Sequence, residues 1–259
     1  MLPPLPERMR PKNLSEYVGQ RHLVGEGCIL RKMIENGNLS SFILWGPPGV
    51  GKTTLAGIIA QTLSRDFYTL SAVSAGVKDV RDVIDKARGA SVFSNGAAPI
   101  LFIDEIHRFN KAQQDALLGA VENGTIVLIG ATTENPSFEV ITPLLSRCQV
   151  FVLKSLEVND LQMLLDRALK NDVLLKEKNI EVKETEALFR YSGGDGRKLL
   201  NVLEIVIDSF AGKESHIVID NETVTGCIQE NLAIYDKDGE MHYDIISAFI
   251  KSSVQSLPC

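Results

Sequence analysis

A glycine-rich loop is the part of this sequence whose residue types and spacing most directly specify chemistry. The run Gly46-Pro47-Pro48-Gly49-Val50-Gly51-Lys52-Thr53 matches G-x-x-x-x-G-K-[ST], and Thr54 follows it. Its glycines let backbone N–H groups turn toward phosphate oxygens, and the helix that follows adds its positive amino-terminal end. Lys52 is expected to reach the β- and γ-phosphates, and Thr53 to offer its hydroxyl to Mg²⁺. The loop therefore predicts a site for ATP and Mg²⁺.

A pair of carboxylates is the second candidate for chemistry. Asp104 and Glu105 follow the apolar run at 100–103, which places them at the carboxyl end of a buried strand, where α/β proteins bind ligands. Asp104 is predicted to hold Mg²⁺ through water, and Glu105 to activate the attacking water. His107 has no partner at metal-ligand spacing, so we expect a structural hydrogen bond from it.

Three further polar residues stand where they could sense or contact a phosphate. Thr132 follows the apolar strand at 125–130 and is the first choice, with Thr133 second, although a turn rich in hydrogen-bonding residues would look the same. Arg147 precedes the next apolar run and is either a solvated arginine or an arginine finger that reaches a neighbour's γ-phosphate. Arg197 begins a helix after a glycine-rich turn, from which it could reach the same phosphate within its own subunit.

The elements that must position these side chains follow from the hydrophobic pattern. Short apolar runs alternate with amphipathic stretches, which predicts a three-layer α/β fold with a parallel sheet. After Ser155 only helical spacing is seen. Together with the phosphate loop, this pattern predicts a P-loop NTPase fold in three parts: a nucleotide-binding α/β domain at 1–155, a small all-helical lid at 156–231, and a further helical segment at 232–259.

Composition limits the class of protein. Of the 259 residues, 44% are hydrophobic and 23% are charged, which is ordinary for a soluble protein, and no apolar run is long enough for a membrane helix. The four cysteines are far apart in sequence, so a reducing cytosol without a zinc ribbon or disulfide framework is expected. A net charge of −6 argues against a wholly basic nucleic-acid coat but leaves room for one basic surface.

Longer stretches carry a resemblance to a known family. The order of phosphate loop, acidic pair, strand-end threonine, Ser-Arg-Cys and Gly-Asp-Gly-Arg resembles AAA+ ATPases of the clamp-loader clade. This resemblance implies an AAA+ P-loop NTPase fold in which 232–259 is the truncated start of a C-terminal helical domain. Within that clade, the sequence resembles the RarA/MgsA family, whose eukaryotic members are the Werner-helicase-interacting ATPases. The stretches that carry this resemblance are Met9-Arg10-Pro11, Tyr17-Val18-Gly19-Gln20, Leu44 to Gly49, Ile103 to Lys111, Gly130 to Phe138 and His242 to Ser252.

The resemblance implies a DNA-dependent ATPase that maintains replication forks and acts in recombination and repair. The implied partners are single-stranded, gapped or forked DNA, single-strand-binding protein and further copies of the same chain, in the bacterial cytosol and associated with the nucleoid. It also implies roles for Thr132 as sensor 1, Arg147 as a finger in trans and Arg197 as sensor 2. Adenine contacts are implied near Tyr17, Val18 and Gln20, and the less favoured alternative for that segment is a plain turn at a helix end.

Three other readings remain open from the sequence. A RuvB-like branch-migration ATPase shares the Ile103 to Arg108 stretch but ends in a winged helix, and a bacterial clamp-loader subunit carries a cysteine-rich zinc module that is not seen here. A scaffold that binds ATP without hydrolysing it is the third. The family continues into a further helical domain that carries oligomer contacts, whereas this sequence diverges at Ser253, so a truncated chain of uncertain oligomeric state is expected.

Overall fold

A five-stranded parallel sheet forms the larger half of the molecule. The computed structural model describes residues 2–91, 97–210 and 216–237. The strand order is β2-β3-β4-β1-β5, so the two strands that precede the phosphate loop and the acidic pair are separated only by β4. The strands are β1 (Phe42–Trp45), β2 (Phe67–Ser71), β3 (Ile100–Asp104), β4 (Val127–Thr132) and β5 (Gln149–Val152).

Helices cover both faces of this sheet because the apolar side chains of its central strands alternate between the two faces. Leu44 and Phe102 lie in one buried core, with α2, α3 and α4, and Ile43 and Leu101 lie in the other, with α5 and α6. The predicted three-layer α/β fold is therefore confirmed. The helices are α1 (Leu5–Arg8), α2 (Arg21–Val24), α3 (Ile29–Glu35), α4 (Lys52–Thr62), α5 (Val77–Ser91), α6 (Lys111–Glu122), α7 (Pro136–Glu139) and α8 (Thr142–Leu145), with a single 3₁₀ turn at Ile106–Arg108.

The lid has its own buried core. It was predicted to be all-helical, but it also contains two strands. Its helices are α9 (Val158–Asn171), α10 (Glu186–Ser192), α11 (Gly196–Ser209) and α12 (Asn221–Lys237). Two short strands, β6 (Asn179–Val182) and β7 (His216–Ile219), pair in parallel. Each has only four residues, too few for a clear strand pattern, and they meet only because α10 and α11 fold back between them. Residues 238–259, which contain most of the predicted C-terminal segment, lie outside the described residues.

The amino-terminal segment packs against the lid although it precedes the sheet in sequence. Leu5 and Met9 belong to the lid core. Arg8 forms ion pairs with Asp172 at 2.7 Å and Glu204 at 3.0 Å. The domain boundary at residue 155 stays a prediction. The first turns of the chain, however, pack against the lid rather than against the sheet.

Candidate nucleotide site

The phosphate loop connects β1 to α4 in a conformation that its glycines permit. Gly49 and Gly51 have φ of +67° and +95°, in the left-handed region that side chains disfavour. A Cβ at Gly51 would come within 2.8 Å of the Tyr17 hydroxyl oxygen. Lys52 begins α4, and its buried ammonium donates to the carbonyls of Gly46 at 2.7 Å and Pro47 at 2.8 Å. The loop is thus held as a turn with its lysine folded over it.

One cavity of about 540 Å³ opens beside this loop. That volume is in the usual range for small-molecule sites. The sheet, the lid and the amino-terminal segment all contribute to its wall. Of the residues predicted to bind nucleotide or metal or to act in catalysis, those that line it are Tyr17, Val18, Pro48, Gly49, Val50, Gly51, Lys52, Thr53, Thr54, Asp104, Glu105 and Arg197.

Sequence reasoning missed the other side of the cavity. Met9, Arg10 and Pro11 were noticed only as part of a resemblance, and nothing in their spacing assigned them to a site. The lid leucines were visible only as an apolar helical pattern. The additional lining residues are Pro4, Pro6, Glu7, Met9, Arg10 and Pro11 from the amino-terminal segment, and Leu156, Leu164, Gly196, Leu200 and Asn201 from the lid and the chain leading to it.

The residues predicted to hold Mg²⁺ come together on the cavity wall. Asp104 ends β3 and Thr53 lies in the first turn of α4, and both line the cavity. Mg²⁺ in nucleotide sites is held by one or two protein oxygens, with phosphate and water completing the shell, so a hydroxyl and a carboxylate fit this ion. Burial lowers the pKa of the Lys52 ammonium, and the carboxylates of Glu105 and Asp104 oppose that shift only in part.

Glu105 is held in an unusual backbone conformation beside two other polar side chains. Its φ of +54° is left-handed, which is rare for a residue other than glycine. Its Oε2 lies 3.1 Å from Nδ1 of His107, and the Thr133 hydroxyl is 3.4 Å from the same oxygen. Nδ1 of His107 is also 3.0 Å from Oγ1 of Thr132, which is fully buried and does not line the cavity. His107 thus makes the hydrogen bond expected of it, but beside the acidic pair.

Tyr17 and Gln20, both predicted near adenine, have different surroundings. The Tyr17 hydroxyl lies on the cavity wall and donates toward the carbonyls of Val50 at 3.2 Å and Gly51 at 3.3 Å. Gln20 is buried and does not line the cavity, because its amide makes hydrogen bonds of 2.6 and 2.9 Å with the backbone of Lys154. Gln20 therefore ties the chain before the lid to the amino-terminal segment.

The two candidate arginines lie in different places. Arg197, in the first turn of α11, lines the cavity. Arg147 does not: it follows α8, donates to the carbonyl of Pro143 at 2.6 Å and pairs with Glu122 at 3.1 Å. The site of one chain therefore contains the predicted sensor 2 but not the predicted finger.

The phosphate loop and the lid touch directly. The Gly196 N–H donates to the carbonyl of Gly49 at 3.2 Å, and a Cβ added at Gly49 would overlap the Asp195 carboxylate. That carboxylate caps the amino terminus of α11 by accepting from the Lys198 N–H at 2.9 Å. The start of α11 is therefore linked to the phosphate loop by a hydrogen bond and by close packing at Gly49.

Comparison with known proteins adds an independent line of evidence. The family model described as "ATPase family associated with various cellular activities (AAA)" matches residues 42–156, and the model described as "AAA C-terminal domain" matches residues 175–253. Replication-associated recombination protein A of Coxiella burnetii is 49% identical over 96% of this chain. The Escherichia coli K12 protein of that name is 44% identical over 98% of it. The chain belongs to the replication-associated recombination protein A family.

The match does not extend over the whole length of these relatives. The chain spans 56% of the Coxiella burnetii protein and 58% of the Escherichia coli protein. Among solved structures, Thermotoga maritima RuvB, described as a Holliday junction branch migration motor, superposes with a TM-score of 0.68 at 29% identity, over 86% of this chain and 72% of that one. The family predicted from the motifs is thus confirmed, and so is the AAA+ fold.

None of the helices in the described ranges combines the length and the apolar character needed to cross a membrane.

Proposed function

We propose that this chain is a DNA-dependent ATPase that acts in replication-fork maintenance, recombination and repair, and that ATP binding and hydrolysis switch its conformation on DNA. The observation that carries the proposal is that the phosphate loop, the acidic pair and the lid arginine line one cavity, although they are distant in sequence. This arrangement lets one nucleotide contact both the sheet and the lid.

ATP is the proposed substrate, and the sheet side supplies the groups that act on its phosphates. Backbone N–H groups of the loop and the amino terminus of α4 would face the phosphate oxygens. The Lys52 ammonium now donates to two loop carbonyls and would turn its protons to the β- and γ-phosphates. Thr53 and Asp104 would hold Mg²⁺, which when bound supplies positive charge against the phosphates.

The hydrolytic step is assigned to Glu105 and its neighbours. Glu105 lines the cavity and is the carboxylate that would take a proton from the attacking water. Thr132, at the end of β4, stays the proposed sensor of the γ-phosphate, although it reaches the cavity only through its neighbours. Arg147 lies outside the cavity of its own chain, which favours action on a second copy and hence a homo-oligomer.

The lid is the proposed moving part. Arg197 lines the cavity from the start of α11, whose first residue is hydrogen-bonded to the phosphate loop at Gly49. Loss of the γ-phosphate would remove the partner of Arg197 and change the preferred position of α11. Differential binding of ATP and ADP to two lid positions is what converts hydrolysis into a population shift.

DNA is proposed as the macromolecular partner because the relatives are named for replication and recombination. Single-stranded, gapped or forked DNA is the expected form, with single-strand-binding protein as a further partner and the bacterial cytosol and nucleoid as the location. With a net charge of −6, DNA must bind a locally basic surface, because contact with phosphates depends on lysine and arginine.

The deciding experiment is ATP hydrolysis by this chain with and without forked or gapped DNA. We expect DNA to raise the rate several-fold, and Glu105→Gln to reduce turnover to a small residual rate while retaining ATP binding. Glu177→Gln is the matched control, because Glu177 is an exposed carboxylate outside the cavity. Tight ATP binding without turnover under all conditions would instead favour a scaffold that binds ATP without hydrolysing it.

A RuvB-like branch-migration ATPase is the second candidate, favoured by the structural similarity to Thermotoga maritima RuvB. A four-way junction included in the same assay separates the two. Stimulation by the junction well above that by forked or gapped DNA, with strand exchange, would favour branch migration. The 44 to 49% identity to replication-associated recombination proteins makes the fork-acting ATPase our first choice.

A further inference from the structure

His107 lies between two residues to which the proposed mechanism gives separate tasks. Its Nδ1 is 3.1 Å from Glu105 Oε2 and 3.0 Å from Thr132 Oγ1. Glu105 lines the cavity, Thr132 is fully buried, and the imidazole side chain is 13% exposed. A single ring nitrogen therefore joins the carboxylate at the reaction centre to the end of β4.

The neighbouring hydrogen bonds determine which atom donates. The Thr132 hydroxyl donates to the carbonyl of Glu134 at 3.2 Å and accepts from the Glu134 N–H at 3.0 Å. Its proton is thus used, and an ionised Glu105 carboxylate only accepts. An Nδ1 without a proton would turn its lone pair toward a carboxylate oxygen, which is repulsive. Nδ1 therefore carries the proton and shares it between Glu105 and Thr132.

The backbone around His107 fixes this position. Glu105 has left-handed φ and ψ of 54° and 47°, and a single 3₁₀ turn follows it at Ile106–Arg108. Ile106 is fully buried, and its side chain would be only 3.1 Å from a Cβ at Gly130, so the turn sits directly on β4. A left-handed non-glycine residue is costly unless its surroundings hold it. This turn therefore presents His107 between β3 and β4 with little freedom.

We propose that His107 is a positioning residue for ATP hydrolysis: its Nδ1–H holds the Glu105 carboxylate in place and couples it to Thr132. The inference rests on the proposed ATPase function and adds a residue to it. Two acceptors compete for one proton, so a change of partner at Thr132 strengthens or weakens the bond to Glu105. A change in the hydrogen bonds of Thr132 thus alters how firmly Glu105 is held, although His107 itself does not contact the nucleotide.

Steady-state kinetics test this positioning role. We expect His107→Ala to lower kcat between about 10-fold and 100-fold, the size of effect that a misplaced catalytic group produces, while ATP affinity stays within about twofold. His107→Asn should restore most of the rate, because the asparagine amide can donate from near the position of Nδ1. His107→Gln should not, because its amide lies one carbon further out.

Two controls separate positioning from general damage. Adding His107→Ala to Glu105→Gln should change the residual rate less than twofold, since His107 acts through Glu105. His216 is a matched histidine, with its Nε2 3.1 Å from Glu181 Oε2 in an exposed pair on the lid strands, and His216→Ala should leave kcat unchanged. A kcat of His107→Ala at or above that of the wild type, or equal rates for the Asn and Gln variants, would overturn the proposal.

A second measurement does not depend on turnover. Long-range ¹H–¹⁵N spectra of the four histidine rings, with His107 assigned by the signal that His107→Asn removes, report whether Nδ1 is protonated. We expect a protonated Nδ1 whose resonance shifts in both Glu105→Gln and Thr132→Val. An unprotonated Nδ1, or a resonance unaffected by Glu105→Gln, would reject the inference. If the spectra are as expected but no hydrolysis is detected, the result would count against the proposed ATPase function and not against the role of His107.

Discussion

The two walls of the cavity are built in different ways. On the sheet side, the groups proposed to act on phosphate, Mg²⁺ and water come from two stretches at strand ends: the run from Pro48 to Thr54 after β1, and the pair Asp104 and Glu105 at the end of β3. On the opposite side, short pieces of the amino-terminal segment and of the lid meet only by packing. The proposed chemistry is thus carried by residues at the ends of strands, while the shape of the site depends on how the lid packs against the amino-terminal segment.

The attachment of the lid depends on a buried ion-pair group. The side chains of Arg8 and Asp172 are 9% and 1% exposed. Burial alone would raise the pKa of Asp172, but the hydrogen bond from Arg8 and those from the Leu174 and Leu175 N–H groups outweigh it and lower that pKa. Arg8 is thereby fixed to the end of α9, and the cavity wall formed by the segment around it is fixed with it.

The largest expected effect concerns a sheet-domain residue that lies outside its own cavity. Arg147→Ala should lower turnover by about 10³-fold with little change in ATP affinity, because a finger stabilises charge only during phosphoryl transfer. The measurement is kcat and ATP binding as a function of protein concentration. Arg31→Ala is the matched control, since the Arg31–Glu35 pair has similar exposure and lies away from the cavity. Wild-type turnover by Arg147→Ala would remove the finger assignment.

The second prediction detaches the lid from the amino-terminal segment. Asp172→Asn should lower the free energy of unfolding by about 3 kcal/mol, because it removes the more deeply buried of the two carboxylates that pair with Arg8. Denaturant unfolding measures this loss. The control is Asp85→Asn, in an exposed pair with Arg88, and it should cost less than about 1 kcal/mol. Equal losses for the two variants would show that the buried pair does not hold the segment.

Asp172→Asn should also change how the free energy of unfolding depends on pH. The pKa of Asp172 is lowered in the folded chain, so its ionised form stabilises the fold above its ordinary value of 3.8, and this stabilisation is lost as pH falls through the folded pKa. The stability difference between wild type and Asp172→Asn should therefore be constant near neutral pH and shrink below about pH 4. A difference that grows on acidification would contradict the assigned sign.

The third prediction tests the junction between the phosphate loop and the lid. Gly49→Ala should destabilise the fold by about 1 to 3 kcal/mol, because φ is +67° and the new Cβ would overlap the Asp195 carboxylate. Gly57→Ala, inside α4 with open space around its Cβ, should stabilise by about 0.5 to 1 kcal/mol. Thermal unfolding of the pair measures both effects. Effects of the same sign would mean that the junction is looser than described.

The smallest expected effect comes from one hydroxyl behind the loop. Tyr17→Phe removes a donor to the carbonyls of Val50 and Gly51 and should lower the free energy of unfolding by about 1 kcal/mol. Burial raises the pKa of the Tyr17 phenol, so Tyr17 should not be among the tyrosines that ionise first as the pH is raised. The early part of an alkaline absorbance titration should therefore be the same in Tyr17→Phe and in the wild type. Tyr68→Phe, on β2, is the control. A larger loss from Tyr68→Phe would argue that Tyr17 does not support the loop.

Local pattern explains which parts of the molecule could be predicted. The strand that ends in Asp104 and the loop that ends in Lys52 each place their chemistry by neighbours in sequence, so their elements were found within a residue or two. The lid strands were missed because four residues carry little periodicity. Gln20 was predicted at the adenine site, but its amide is hydrogen-bonded to Lys154, a partner 134 residues away.

The sequence by itself determined the family, the three-layer fold, the phosphate loop and the acidic pair, because those features depend on residue type and short-range spacing. Only the tertiary structure decided that Arg8 joins Asp172, that His107 lies between Glu105 and Thr132, and that part of the amino-terminal segment lines the cavity, namely Pro4, Pro6, Glu7, Met9, Arg10 and Pro11. Each of these contacts joins segments that packing brings together, and no local pattern specifies the partner at the other end.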